Sequence, residues 1–265
     1  MSERHAELAA RLAATRSRVG AACAAAGRDP AGITLVAVTK TYPAADVLAL
    51  AALGLTDFGE NRDQEAAPKA AAVAVAGLPV TWHFVGQLQT NKVHSVARYA
   101  DFVHSVDRIR LVRALGRAAR DAGRDLTCLV QVNLDQDRLD AGDAGRLDAG
   151  GAGRLDAGGG TLAADRPEQG RGGVPPAMLA GVAGAIEAEE GLTLGGLMAV
   201  APRDTDPRTA FAPLRRLSGV IQSVSASATL ISAGMSGDLE AAVECGATHL
   251  RIGTALLGDR SLPVR

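Results

Sequence analysis

Residues 33–40 read Ile-Thr-Leu-Val-Ala-Val-Thr-Lys, a short β-branched run that ends on a lysine. A run of this length and composition is a buried strand rather than a helix segment. Similar runs recur at 56–58 (TDF), 81–85 (TWHFV), 101–105 (DFVHS), 126–132 (LTCLVQV), 194–200 (LGGLMAV), 229–232 (TLIS) and 248–252 (THLRI), separated by Ala/Leu-rich helical stretches. Alternation of this kind predicts a parallel sheet wrapped by helices. About eight βα units suit an α/β fold closed as a (β/α)8 TIM barrel better than an open doubly wound sheet. Upstream, Leu8, Leu12 and Val19 recur at helical spacing, with Ser2 as N-cap and Gly27 as stop, so the chain opens on a helix.

The composition narrows the function classes. The 265 residues carry 28 basic and 29 acidic side chains, a formal charge of −1, which argues against a nucleic-acid partner bound by charge. Hydrophobic residues reach 47% but aromatic ones only 3%, so the core must be aliphatic and alanine-rich. No apolar run approaches the ~18 residues of a membrane helix, and no membrane partner is expected. Cys23, Cys128 and Cys245 are far apart and in no CxxC arrangement, which predicts neither a disulfide framework nor a zinc site, in a cytoplasmic protein. The expected organisation is one barrel over 1–265 with a low-complexity insertion at about 136–172. There an octapeptide runs RLDAGDAG, RLDAGGAG, RLDAGGGT from Arg138. Its glycine and aspartate density cannot bury enough apolar area to offset chain ordering, so the insertion is expected to be disordered. It lacks the nine-residue GGxGxD pattern of a calcium-binding β-roll.

Of the 28 basic residues, only Lys40, Lys69 and Lys92 are lysines. Arginine keeps its proton, whereas lysine can lose it and attack a carbonyl, so lysines in an arginine-rich chain invite attention. If the first strand alternates, Val36, Val38 and Lys40 share one face, and the amine points into the barrel mouth where barrel active sites lie. Lys69, in EAAPKAAA, reads as a solvated residue on a polar helix face, and Lys92 as a loop ligand or helix-start cation. After the seventh strand come Gly234, Met235, Ser236 and Gly237, and after the eighth Gly253 and Thr254. Small residues opening a helix present backbone N–H groups to an anion, and these two loops are the usual phosphate site of a barrel. With a strand-one lysine they describe a pocket for a phosphorylated carbonyl compound. Two classes fit: a sugar-phosphate aldolase and a pyridoxal 5′-phosphate site.

Thr39-Lys40, Phe58-Gly59-Glu60-Asn61, Trp82-His83-Phe84-Val85-Gly86, Leu88-Gln89-Thr90-Asn91-Lys92, Gly196-Leu197-Met198-Ala199, Gly234-Met235-Ser236 and Arg251-Ile252-Gly253-Thr254 stand in one order along the chain. In this the sequence resembles the pyridoxal phosphate homeostasis proteins, the YggS/PROSC-type family, over nearly its whole length apart from the insertion. The resemblance implies a fold-type-III barrel like the N-terminal domain of alanine racemase. Lys40 would carry pyridoxal phosphate as an aldimine, Ser236 with the Gly253-Thr254 turn would hold its phosphate, and Met235 would lie on the same loop. Arg251 would face the pyridine nitrogen and Asn61 would lie beside the ring. A guanidinium there disfavours ring protonation and makes a weak electron sink. His83 and Met198 match the family motifs and are expected as barrel packing. Asn91 and Lys92 are expected near the ligand mouth.

Two departures stand out. Arg62 occupies the place of a tyrosine common in relatives, and the Ser-Lys-x-Gly stretch after the fifth strand is absent, with Arg171-Gly172-Gly173 in its place. Related racemases carry a second, β-rich domain that supplies an acid/base group, for which the 11 residues after Thr254 leave no room. Neither Tyr42 nor Tyr99 is placed as a base. The expectation is a monomeric, non-enzymatic carrier that takes part in vitamin B6 homeostasis and passes pyridoxal phosphate to dependent apoenzymes; a slow amino-acid racemase is the alternative.

Overall fold

A computed structural model describes residues 3–135 and 172–258. The predicted octapeptide insertion lies outside the described residues, apart from Gly172. The chain opens on α1 (Glu3–Ala25) and then alternates: β1 (Thr34–Val38), α2 (Ala44–Ala52), β2 (Asp57–Glu60), α3 (Asp63–Val75), β3 (Thr81–Phe84), α4 (Val93–Val96), β4 (Phe102–Val106), α5 (Ile109–Ala122) and β5 (Leu126–Val132). It continues with α6 (Leu179–Glu187), β6 (Leu192–Ala199), α7 (Pro207–Phe211), α8 (Leu214–Gln222), β7 (Leu230–Ser232), α9 (Leu239–Glu244), β8 (His249–Ile252) and α10 (Thr254–Leu257). The eight strands close in sequence order, all neighbours parallel, so the predicted (β/α)8 barrel is present. β8 returns to β1 with Thr34 opposite His249 and Ala37 opposite Ile252.

The helices follow from the burial pattern. In α5, Leu111, Val112, Leu115, Ala118 and Ala119 are buried at spacings of three and four, and Gly123 ends the helix at φ 62, a left-handed conformation that glycine adopts without a Cβ penalty. In α1 the predicted Leu8, Leu12 and Val19 are buried together with Thr15, Ala22 and Cys23. This helix packs against α2, α9 and α10, so the helical ring closes where the sheet does.

Strand alternation sorts the side chains. A Cβ on Gly59 would meet Val36, Val38 and Val85, which places Gly59 inside the barrel, while the neighbouring Glu60 points outward to α3. The described residues on either side of 136–171 stand together. Val174 bridges Val132, Asn133 N–H donates to the Val174 carbonyl at 2.9 Å, and the Gln131 amide donates to the Gly172 carbonyl at 2.8 Å. With these flanks adjacent, residues added between them cost only a slowly growing closure entropy.

Gly196 has φ +150, and a Cβ there would stand 1.9 Å from the Leu230 carbonyl oxygen of β7. Gly196→Ala is therefore expected to cost about 3 kcal/mol or more, read as a lower urea midpoint; an unchanged midpoint would show that β6 and β7 can part.

Candidate functional site

Lys40 follows β1 in a turn that α3 holds on both sides. Thr39 N–H continues the ladder to the Gly59 carbonyl at 3.0 Å, and the Lys69 ammonium donates to the Thr39 carbonyl at 2.8 Å. On the other side, Thr41 has φ 70, unusual for a β-branched residue, and its N–H donates to Glu65 Oε2 at 2.7 Å. The strained residue is thus tied to the first turns of α3. Val36 and Val38 face the barrel interior, and Lys40 follows two residues after Val38, past the end of the strand.

Lys69 departs from its predicted solvated position. It is buried, pairs with Glu60 Oε1 at 2.7 Å, and shares that oxygen with the Thr39 hydroxyl at 2.6 Å. The physical reason is that Glu60 is an outward residue of β2 beneath α3, and Lys69 stands on the buried side of that helix, where it meets the carboxylate. Burial pushes the Glu60 carboxyl up, against the hydrogen bonds from Lys69 and Thr39 that pull it down. Its Oε2 is buried with no hydrogen-bond partner among the described residues.

Across the β1–β8 seam stand the predicted anion-binding residues. A Cβ on Gly253 would lie 3.5 Å from the Val38 carbonyl oxygen, so the Gly253-Thr254 turn adjoins the strand that leads to Lys40. Ser236 Oγ accepts from Ala255 N–H at 3.2 Å, joining the two loops. Gly234 turns at φ +89, where a Cβ would strike Ala242 at 2.6 Å. Met235 N–H donates to Asp238 Oδ1 at 2.5 Å, its side chain 40% exposed, and Arg18 of α1 donates to the Ser236 carbonyl at 2.7 Å. Asn61 leads out of β2 against Gly86, where any Cβ would come within 2.2 Å of the Asn61 carbonyl oxygen.

Arg251 is buried inside the barrel, with Nη1 donating to Ser232 Oγ at 2.6 Å and Nη2 to the Ala199 carbonyl at 2.8 Å. Desolvation pushes it down to about 10, so it stays a cation at neutral pH. Behind Ser232 lies a polar chain whose members, apart from His83, sequence reasoning missed. Ser232 Oγ is 2.9 Å from His104 Nδ1, His104 Nε2 is 2.9 Å from His83 Nδ1, and His83 Nε2 is 2.9 Å from Asp57 Oδ1. His83 also stacks on Phe102 at 4.5 Å and faces His249. His83 is thus packed, as expected, but as one link in a polar chain. The available signal was positional: Asp57, His83, His104, Ser232 and His249 all occupy inward-facing steps of their strands.

Burial drives His104 well below its ordinary value, and its neighbours His83, Arg251 and His249 act in the same direction. It pushes His249 down to about 4. For Asp57, burial works upward, but hydrogen bonds from His83 and Thr56 outweigh it and hold the carboxyl below its usual range. Met198 is buried as expected, whereas Asn91 is exposed and Lys92 sits at the end of a short 3-10 turn, Thr90–Lys92. Arg62 is exposed beside Glu65 at 3.8 Å. A groove of about 510 Å³ lies away from the mouth, lined by residues such as Ala70, Trp82, Arg98 and Tyr99, and takes in none of the predicted site residues. Among the described residues no His, Cys, Asp and Glu side chains group to hold a metal ion, and no helix is long and apolar enough to cross a membrane.

These features describe a (β/α)8 barrel in which the turn after β1 that carries Lys40 adjoins the Gly253-Thr254 turn after β8, with an arginine buried in the interior. The alanine racemase N-terminal domain family matches it over residues 11–140 and 161–261. The chain is 40% identical to the pyridoxal phosphate homeostasis protein of Mycobacterium tuberculosis (strain ATCC 25618 / H37Rv), covering 98% of this chain and 95% of that one. It is 37% identical to the protein of that name from Pseudomonas aeruginosa, covering 96% of each. Among solved structures, PipY of Synechococcus elongatus PCC7942 with PLP bound superposes with a TM-score of 0.73 at 30% identity, covering 95% of this chain and 100% of that one. Alanine racemase from Corynebacterium glutamicum shares the fold, with a TM-score of 0.62 at 12% identity over 95% of this chain and 60% of its own. The chain belongs to the family of pyridoxal phosphate homeostasis proteins.

Two outcomes follow. Lys69→Met leaves the Glu60 carboxylate buried and unpaired, with an expected loss of about 3–5 kcal/mol in urea unfolding, largely restored by adding Glu60→Leu; a single variant as stable as wild type would show the pair to be inert. His104 and His249 have depressed native values, so their stability contribution is complete above pH ~6.5, where neither state binds the proton. As pH falls from there toward 4, the unfolded chain takes up protons the native barrel refuses, and stability should drop by up to about 1.4 kcal/mol per pH unit for each ring. A flat urea midpoint between pH 7 and 4.5 would contradict this.

Proposed function

We propose that this chain binds pyridoxal 5′-phosphate reversibly through the amine of Lys40 and serves, without catalysing a reaction, in intracellular vitamin B6 homeostasis. The observation that carries the reading is the seam itself: the clamped Lys40 turn and the Gly253-Thr254 turn stand on adjacent strands, so one phosphorylated aldehyde can reach both. When bound, the cofactor supplies an aldehyde that condenses with an amine and can be taken over by another. The chain's own residues do the rest. Ser236, Gly253 and Thr254 would hold the phosphate with Met235 on their loop, Asn61 would lie beside the ring, and Arg251 would offer a donor to the ring nitrogen. A cation that keeps its proton leaves that nitrogen unprotonated, which weakens carbanion chemistry.

A lack of catalysis is supported by the placement of the tyrosines. The Tyr42 hydroxyl donates to the Gly258 carbonyl at 2.8 Å, and Tyr99 lines the groove outside the barrel. Neither is poised over the mouth as a base. We assign the protein to the cytoplasm as a monomer, with pyridoxal-phosphate-dependent apoenzymes as recipients.

Titration with pyridoxal phosphate should raise an imine absorbance band, and borohydride reduction should fix the pyridoxyl group on the peptide holding Lys40. Lys40→Ala should lose both while keeping the far-ultraviolet dichroism of wild type; an adduct on Lys92 or Lys69 instead would overturn the assignment. Steady α-proton exchange of amino acids in deuterated water by wild type, lost in Lys40→Ala, would replace the carrier with an enzyme.

A further inference from the structure

Asp57 and Arg251 terminate a chain of hydrogen bonds that crosses the barrel from β2 through β3 and β4 to β7 and β8. Its ends differ in kind: an ionised carboxylate only accepts and a guanidinium only donates, while the three groups between can do both. That asymmetry orders the protons. Ser232 Oγ accepts from Arg251 and is left to donate its own proton to His104 Nδ1. His104, held neutral by burial, then carries its proton on Nε2 and donates to His83 Nδ1. With His83 Nδ1 accepting from His104, the Nε2 that faces the carboxylate carries the proton and donates to Asp57. Every hydrogen in the chain is used once, with no extra proton. The reverse order would set two acceptors against each other at Asp57 and two donors on Ser232, whose hydroxyl proton would be left to swing toward the guanidinium it should hold.

We propose that Asp57, His83, His104 and Ser232 form a proton-ordered relay that holds Arg251 as a donor toward the cofactor ring, making Asp57, at the opposite end of the barrel, a positioning residue for the bound cofactor. The proposal rests on the pyridoxal-phosphate reading above. Asp57 opens β2, whereas the mouth lies past Glu60 at its far end, so Asp57 acts through the chain and not by touch. The middle of the chain is also shielded from water. Phe102 stacks on His83, and His249, itself neutral and bonded to Thr248 Oγ1 at 2.9 Å, flanks both His83 and His104. In such a low-dielectric setting a satisfied polar chain is rigid and a broken one is costly.

The test uses Asp57→Asn, because an amide can donate where the carboxylate cannot and so frees the neighbouring imidazole to take its other tautomer. Ring-nitrogen NMR of the cofactor-free wild type should show His83 and His104 both protonated at Nε2, and Asp57→Asn should move protons to Nδ1. Titration by imine absorbance should show pyridoxal phosphate bound about tenfold more weakly by Asp57→Asn, with borohydride trapping still on Lys40. Ser232→Ala, which cuts the chain next to Arg251, should weaken binding at least as much, and it serves should Asp57→Asn fail to fold. Nδ1 protons in the wild type, or both variants binding as wild type does, would overturn the relay alone. A wild type that takes up no pyridoxal phosphate would overturn the parent reading and this proposal with it.

Discussion

The pairing of β8 with β1 is the contact on which the rest of the molecule depends. Without it the sheet has two open edges and the first and last strands are merely distant in sequence. With it, Leu35 lies opposite Leu250 and Val36 opposite Arg251, and the turns that follow the two strands become neighbours. The turn that carries Lys40 at one end of the chain and the glycine-threonine turn at the other then adjoin. α1 reinforces this seam from outside by packing on the helices that follow both strands, and its Arg18 also reaches the Ser236 carbonyl.

The barrel interior is unusual in what fills it. Barrel cores are ordinarily layered with branched aliphatic side chains, but here three histidines, a serine and an arginine occupy inward positions beside Val36, Val38 and Leu129. Apolar replacements of the same volume would avoid the desolvation that these groups suffer. Here these groups sit in a satisfied chain, with Arg251 bonded at both Nη atoms, so hydrogen bonds offset the cost of burying them. The Glu60–Lys69 pair on the outer face of the sheet plays the corresponding part for the Lys40 turn.

Much of the fold was legible because β-branched runs and alanine-rich stretches alternate with few interruptions. β5 runs over Leu126–Val132 as expected, and the other strands differ from expectation by one or two residues at their ends. The strand predicted at 56–58 extends to Glu60, since Gly59, with no side chain to signal a strand, is needed where Val36 and Val38 crowd the barrel wall. Lys69 was misread for a different reason: in EAAPKAAA alanines lie on every side, so no hydrophobic stripe tells which face of the helix is covered. The polar chain was invisible because its links join β2, β3, β4, β7 and β8, and only barrel closure brings those positions together. The position of Lys40 just after β1 and the glycine-bearing turns after β7 and β8 were legible because each carries its own local signature.

The near-total use of arginine for positive charge has a consequence for chemical selectivity. A protein that hosts a reactive aldehyde exposes its own surface to unwanted condensation, and every accessible lysine is a competitor for the ligand. Arginine does not lose its proton and so cannot enter that competition. Of the three side-chain amines in the sequence, Lys69 is enclosed between helix and sheet and bonded to Glu60 and the Thr39 carbonyl, which leaves Lys40 and Lys92 to meet an incoming carbonyl. The surface is in this sense passivated, and on the proposed reading the scarcity of lysine elsewhere selects the attachment point as much as the surroundings of Lys40 do.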